Sequence, residues 1–184
     1  ECKTDSDLEF AFHFIKKNKL KFLILGEGTN VVFTKPFEGL IIKNVFKKEK
    51  KIYENKVKIS SGYNWDRFVS FCIKNSLYGL ENLSGIPGTV GAGPIQNIGA
   101  YGEEIASYIE YIEVFNFKTG NVEILNNVNC NFDYRNSFFK KNKHLFIKNI
   151  FFKLKKNFIA NSSYQDLQIY EFKEASDLRK IILK

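Results

Sequence analysis

Methionine is missing from all 184 residues, and three other residue types are scarce: Arg67, Arg135 and Arg179, His13 and His144, Cys2, Cys72 and Cys130. Without an initiating Met, the numbering is not expected to begin at a translation start. The chain is therefore expected to be part of a longer one, truncated at its C-terminal end inside an amphipathic helix that Ser176 opens and Leu178, Ile181 and Ile182 continue. An odd, widely spaced set of cysteines with no C-x-x-C pair speaks against a disulfide framework and, with so few imidazoles, against a zinc or other metal site. A reducing, cytoplasmic compartment is the expectation. Cys72 falls in the apolar pattern of a predicted helix and reads as a small core residue. No apolar run approaches the ~20 residues that cross a bilayer. The opening Glu1–Ile15 carries acids and no basic n-region, so neither a membrane association nor a secretory signal is expected.

The net charge of +8 comes from 28 Lys and Arg against 20 Asp and Glu. Arginine forks for phosphates and bases are nearly absent, and Asn75–Phe117 holds five Glu and no Lys or Arg. No basic stripe crosses the richest motif region, so a nucleic-acid partner is not expected. The lysines read as solvated faces that also draw in a small anionic substrate.

What is present suits a folded α+β protein of one to two domains, with 44% hydrophobic residues and enough chain to bury roughly 70% of its unfolded surface. Ser6-Asp7-Leu8-Glu9 has the form of a capping box, and Leu8, Ala11, Phe12 and Ile15 then follow helical spacing to Asn18. Lys21–Leu25, Val31–Phe33 and Gly39–Lys43 read as short strands. Lys51–Tyr53 and Val57–Ile59 flank a turn, and Asn64 caps a predicted helix burying Trp65, Phe68, Val69 and Cys72. Ile109–Phe117 and Asn121–Leu125 form a second predicted hairpin, and Leu145–Leu154 reads as an inner strand.

Two segments carry chemistry. Gly26-Glu27-Gly28-Thr29-Asn30 is not a Rossmann loop, because Val31 stands where the third Gly belongs and no helix follows. Its backbone N–H groups can line a concavity for phosphate oxygens, with Thr29 and Asn30 as further donors. The same residues also fit a plain hairpin turn whose glycines take positive φ. In the second segment, Gly79–Gly102, stand seven of the twelve Gly and two of the three Pro. Such a stretch can lay bare backbone amides and carbonyls against a flat polar ring system, with Gln96 and Asn97 adding directional hydrogen bonds. A buried irregular connection is the competing reading, disfavoured because it leaves many backbone groups to satisfy.

Leu23–Val31, Gly79–Gly91 and Pro94–Gly102, with Phe132-Asp133-Tyr134-Arg135-Asn136-Ser137-Phe138-Phe139-Lys140 and, more faintly, Ser163–Leu167, resemble the UDP-N-acetylenolpyruvoylglucosamine reductases over nearly the whole chain. These are flavoenzymes of the vanillyl-alcohol-oxidase type. The resemblance implies two α+β subdomains clasping FAD, at 1–44 and 45–156, with 157–184 opening a substrate-binding domain that is largely missing. It implies cofactor contacts at Gly26, Glu27, Gly28, Thr29 and Asn30, and at Gly85, Ile86, Pro87, Gly88, Thr89, Val90, Gly91, Gly93, Pro94, Gln96, Asn97, Gly99, Ala100 and Tyr101. NADPH would be the hydride donor and an enolpyruvyl UDP-sugar the substrate. The product would be UDP-N-acetylmuramate, a peptidoglycan precursor.

Arg135 is the implied catalytic residue, holding the substrate carboxylate and opposing the charge of an enolate. Tyr164 is the implied substrate-binding residue, a donor to a UDP phosphate. The family's proton-donating Ser and its C-terminal Glu have no counterpart here, and the usual Asp after Tyr-Arg is Asn136. Two other readings stay open: an oxidase of the same superfamily, which would often tether FAD through His or Cys, and a non-catalytic lysine-rich binding domain that keeps the fold. The oligomeric state is not legible.

Overall fold

The computed structural model describes Glu1–Lys184 throughout. Helix α1, Asp5–Asn18, is capped by Thr4, whose hydroxyl accepts from Asp7 N–H while the Asp7 carboxylate accepts from Thr4 N–H. The predicted box at Ser6 and Glu9 is displaced by this nearer one, in which an acid also complements the helix dipole. Strands β1, Phe22–Leu25, and β2, Leu40–Lys43, pair in parallel, with Leu25 opposite Lys43. Val31–Phe33 is not a strand: it runs exposed along the connection between them, with Val32 87% accessible. Its β-branched composition finds no ladder partner, because β2 occupies the place beside β1. The parallel pairing also disposes of the hairpin reading of Gly26–Asn30.

The larger sheet is antiparallel, in the order β3-β4-β9-β7-β8, where β3 is Lys50–Tyr53, β4 Lys56–Ser60, β7 Ile109–Asn116, β8 Val122–Asn126 and β9 Leu145–Lys153. Both predicted hairpins are present, and β9 is the central strand. Helix α2, Trp65–Lys74, starts at Asn64, whose side chain accepts from Arg67 N–H. Its face of Trp65, Phe68, Val69 and Cys72 is buried against the sheet in a cluster with Val57, Ile150 and Phe152. A fully buried side chain of this size contributes about 1.5–3 kcal/mol. Two short strands, β5 at Gly99–Ala100 and β6 at Glu103–Glu104, are followed by the one-turn helix α3, Phe138–Lys141. Helix α4, Ala175–Ile182, closes the chain; its cap is Glu174 with Asp177 rather than the predicted Ser176.

A second, smaller cluster joins Leu8, Phe12 and Ile15 of α1 and Ile42 of β2 to Phe46, Phe115, Phe117 and Phe146. Phe12 meets Phe115 edge-on with ring centres 6.0 Å apart. The small unit thus completes its core on aromatic residues from the large sheet. Lys148, buried on β9, reaches back to Asp5 at 2.7 Å and to Glu113 at 3.2 Å. Buried Asn44, just past β2, donates to Ser61 Oγ at 2.8 Å.

Candidate functional site

Beyond β1 the backbone turns through Gly28, at φ 80°. The N–H groups of Gly26, Glu27, Gly28, Thr29 and Asn30 donate to no group of the chain; the first amide to re-enter bonding is Val31, to the Gly28 carbonyl at 3.3 Å. Facing them is the ribbon Gly85–Thr89. The approach is close: a Cβ on Gly26 would stand 3.2 Å from Thr89 Oγ1, and one on Gly88 3.4 Å from Thr29 Oγ1. Asn30 Nδ2 donates to Gln96 Oε1 at 3.2 Å and closes one end.

The ribbons do not collapse on each other. A cleft of about 310 Å³ is lined by Gly26, Thr89, Gly91 and Ile95 together with Lys140 and Lys143. A hollow of about 200 Å³ lies between Thr29 and Asn30 on one side and Ile86 and Pro87 on the other, and shares Thr89 and Ala92 with the cleft. Thr89 Oγ1 is buried at their common wall without a hydrogen-bond partner. Most buried hydroxyls are paired, and leaving one unpaired costs about 1–3 kcal/mol. An anionic ligand seated on the amides of Gly26–Asn30 would satisfy both the orphaned hydroxyl and the loose donors, so the residues present fit a dinucleotide diphosphate.

The second glycine segment is largely a built part of the core, which corrects the expectation of bare amides along its length. Val90 N–H donates to Tyr63, Gly91 N–H to Ser61 and Ala92 N–H to Thr89. Val90, Gly91, Gly93 and Pro94 are buried, and a Cβ on Gly91 would stand 2.4 Å from Ser61 Cβ. Gly93 makes room for Ile105 and Ile98. Asn97 differs most from the expectation of free side-chain donors. Its side-chain amide donates to Glu104 at 2.7 Å and to the Asp133 carbonyl at 3.2 Å, and accepts from Ala106 N–H, so the side-chain donors are spent within the fold. Irregular backbone is satisfied here by short helical turns and buried side chains rather than by a ligand. In Gly85–Thr89, by contrast, Gly88 and Thr89 N–H remain without a partner, while Gly85 N–H is accepted by Asp66 at 2.7 Å.

Further along, Gly99, Ala100 and Tyr101 line an open cleft of about 750 Å³ with Tyr134, Arg135 and Tyr164. Arg135 and Tyr164, far apart in sequence, are therefore brought together. Tyr101 and Tyr164 meet edge-on at 5.4 Å. Arg135 sits in a tight turn closed by reciprocal bonds between Asp133 and Asn136, at φ 49°. That left-handed conformation costs a non-glycine residue roughly 1–2 kcal/mol, which the reciprocal turn bonds offset. The Arg135 guanidinium is exposed and makes no ion pair. Ser137 is buried and committed: it caps α3 and donates to the Ile95 carbonyl at 2.7 Å.

Sequence reasoning missed several residues that shape these clefts. Asn82, buried, donates to the carbonyls of Tyr101 at 2.9 Å and Asn161 at 2.8 Å, and so joins the two segments that carry Tyr101 and Tyr164. Asp66 and Arg179 form a two-bond ion pair at 2.6 and 2.7 Å. The Arg179 guanidinium beside it holds the Asp66 carboxyl below the usual range. Only Asp66's place in the first turn of α2 was a signal, and it pointed to the helix dipole. His13 and His144 line none of the clefts, and Cys2, Cys72 and Cys130 are buried away from them. Burial pushes the thiols up, Cys2 to about 11 and Cys130 to about 12. No helix is long and apolar enough to cross a membrane.

Comparison with known proteins agrees with the geometry. The UDP-N-acetylenolpyruvoylglucosamine reductase of Buchnera aphidicola is 40% identical over 177 residues, covering 93% of this chain and 53% of that protein. The enzyme of the same name from Polynucleobacter asymbioticus is 43% identical over 158 residues, 83% of this chain and 46% of the relative. The chain thus spans about half the length of the curated relatives it matches. The crystal structure of UDP-N-acetylenolpyruvylglucosamine reductase from Thermus caldophilus shares the fold, with a TM-score of 0.69 at 23% identity over 97% of this chain and 60% of the other. A family model described as "FAD binding domain" matches residues 1–126, and with both glycine segments inside that match the chain belongs to the FAD binding domain family.

Proposed function

We propose that this chain is the FAD-holding portion of a UDP-N-acetylenolpyruvoylglucosamine reductase, which takes hydride from NADPH and reduces an enolpyruvyl UDP-sugar to UDP-N-acetylmuramate for peptidoglycan precursor synthesis. Residues 1–44 and 45–156 are the two units that clasp the cofactor, and 157–184 leads into the substrate-binding domain. The observation that carries the reading is the pairing of unpartnered amides at Gly26–Asn30 with the orphaned Thr89 hydroxyl across the cleft.

In this reading the N–H groups of Gly26–Asn30, Gly88 and Thr89 hold the diphosphate, and Gly99, Ala100 and Tyr101 wall the ring system. When bound, FAD supplies a carrier that accepts hydride from one partner and yields it to the other. Arg135 takes the substrate carboxylate in two parallel bonds and opposes the charge of the enolate, a contribution of about 3–4 kcal/mol for one preorganised donor. Its closed turn fixes the Arg135 backbone at the cleft wall, from which the guanidinium reaches substrate. Tyr164 donates to a substrate phosphate. The residue that protonates the enolate is not assigned to these 184 residues. An oxidase with tethered flavin has no support here, since no His or Cys lines a cleft.

Titrating the chain with FAD and following flavin fluorescence tests the cofactor assignment; saturable binding supports it, and unchanged fluorescence at excess protein defeats it. In the full-length parent protein, NADPH oxidation that depends on the enolpyruvyl UDP-sugar tests the reaction. Arg135→Met should lower that turnover by roughly 10²–10³ while leaving bound flavin in place.

A further inference from the structure

Helix α4 lies outside both cofactor-clasping units, yet it touches the cofactor ribbon. Its Leu178 and Ala175 are buried against the body of the protein, and Leu183 comes so near Gly85 that a Cβ there would stand 2.9 Å from Leu183 Cδ2. Its Arg179 makes the two-bond contact with Asp66, and the same Asp66 Oδ1 accepts the Gly85 amide at 2.7 Å. One carboxylate thereby links a helix from the end of the chain to the first residue of the ribbon.

The rest of the ribbon is anchored differently. Trp65 N–H donates to the Gly88 carbonyl at 2.9 Å, and the Trp65 indole donates to the Leu83 carbonyl at 2.7 Å. Between those anchors Gly85, Ile86 and Pro87 have no other hydrogen bond to the body of the protein. Gly85, at φ 76°, is free to turn in ways other residues are not. Ile86 packs against the main core cluster, and the Asp66 contact is the stretch's one hydrogen bond to the body of the protein. Both Asp66 oxygens are engaged by Arg179, and this ion pair orients the carboxylate toward the Gly85 amide.

We infer that α4 is a strap on the cofactor site: Arg179, acting through Asp66, fixes the course of Gly85–Pro87 and so raises the affinity for flavin. This rests on the flavin reading of the cleft above. Arg179 and Asp66 are positioning residues, since neither lines the cleft. The coupling is reciprocal, so bound flavin should also tighten α4 on the body of the protein.

The test compares the chain with Arg179→Met, Arg179→Lys, Asp66→Ala and Asp66→Asn, at a temperature where every variant is shown to be folded. Arg179→Met and Asp66→Ala should raise the flavin Kd roughly tenfold, the worth of one charge-assisted hydrogen bond. Arg179→Lys and Asp66→Asn, each retaining part of the relay, should fall between. In the flavin-free chain, hydrogen exchange at Gly85 and Ile86 should quicken in the two severe variants and stay unchanged at Val90–Ala92. Variants that lose heat stability but bind flavin as tightly as the parent, with exchange unaltered at Gly85, would overturn the inference and leave the functional reading intact. A parent chain that takes up no flavin would overturn both.

Discussion

The two glycine ribbons were alike on paper and differ in the folded chain. Gly26–Asn30 is open, its amides unspent and its backbone held to the body by a single side-chain bond from Asn30. The segment from Val90 to Asn97 is closed, with its amides used internally and its glycines serving as gaps for Ser61, Ile98 and Ile105. In the proposed reading, glycine in the first ribbon serves an incoming ligand; in the second it makes room for what already lies beside it. Ile86, Gly88 and Thr89, where the second ribbon swings out to face the first, share the open character, their amides unpartnered.

Substituting a closed glycine should break the fold rather than the binding. Gly91→Ala would press a methyl to 2.4 Å from Ser61 Cβ and 3.2 Å from the Ser61 carbonyl, both backed by the central sheet. The expected loss is about 3 kcal/mol in urea unfolding, the upper range for overpacking. If Gly91→Ala unfolds like the parent but loses flavin, the closed segment is a ligand surface and the contrast fails.

Thr89→Val should separate binding from stability in opposite directions. Removing a buried hydroxyl that nothing satisfies should leave the flavin-free chain equally stable or more stable by about 1 kcal/mol. The same change takes a donor from the ligand and should raise the flavin Kd roughly tenfold. Stability that falls together with affinity would mean that the hydroxyl is satisfied within the fold.

Gly28→Ala addresses the open ribbon itself. The only atom near a Cβ there is Leu25 Cδ2 at 4.0 Å, so space is available and the cost is conformational, at φ 80°. About 1 kcal/mol of stability should be lost, less than for Gly91→Ala, while flavin binding weakens because the amide array is re-aimed. Unfolding curves for the two alanine variants, taken side by side, read this difference directly.

Local signals were legible in the sequence, and partner-dependent ones were not. Both hairpins and the Asn64-capped helix follow from alternation, turn residues and capping within a dozen positions, and each formed as read. Val31–Phe33 had the composition of a strand and failed as one, because its place beside β1 went to Leu40–Lys43. The capping box moved from Ser6 to Thr4, since both sequences fit and the deciding contact was the Asp7 carboxylate reaching two backbone amides, Lys3 and Thr4. At the site, the convergence of Arg135, Tyr101 and Tyr164 was readable only through family resemblance, and the long-range contacts of Asn97, Asn82 and Asp66 had no sequence signature. A side chain's hydrogen-bond partner scores of residues away is settled by the tertiary fold.

Acid should distinguish the ribbons last and least. No carboxylate accepts from the amides of Gly26–Asn30, whereas the second segment is held by two: Glu81 accepts Gly79 N–H at 2.8 Å and Asp66 accepts Gly85 N–H at 2.7 Å. Their titrations run in opposite senses. Burial lifts the Glu81 carboxyl above its usual range, with Oε1 left unpartnered, so the folded chain holds its proton more tightly than the unfolded chain, whose value is about 4.3. That group's penalty is absent below the unfolded value and grows as pH rises through the folded one. Asp66 is held below its usual range by Arg179, so its contribution is present above about 3.9, the unfolded value, and is lost as pH falls through the folded one. Glu81→Gln should therefore flatten the loss of stability on the rising side of pH 4, and Asp66→Asn the loss on the acid side. Flavin affinity in acid should follow Asp66 and not Glu81, because only Asp66 reaches the part of the ribbon that remains open. Unfolding measured at matched pH values for the two variants, with flavin binding measured alongside, would show whether the closed segment and the open one are governed by different acids.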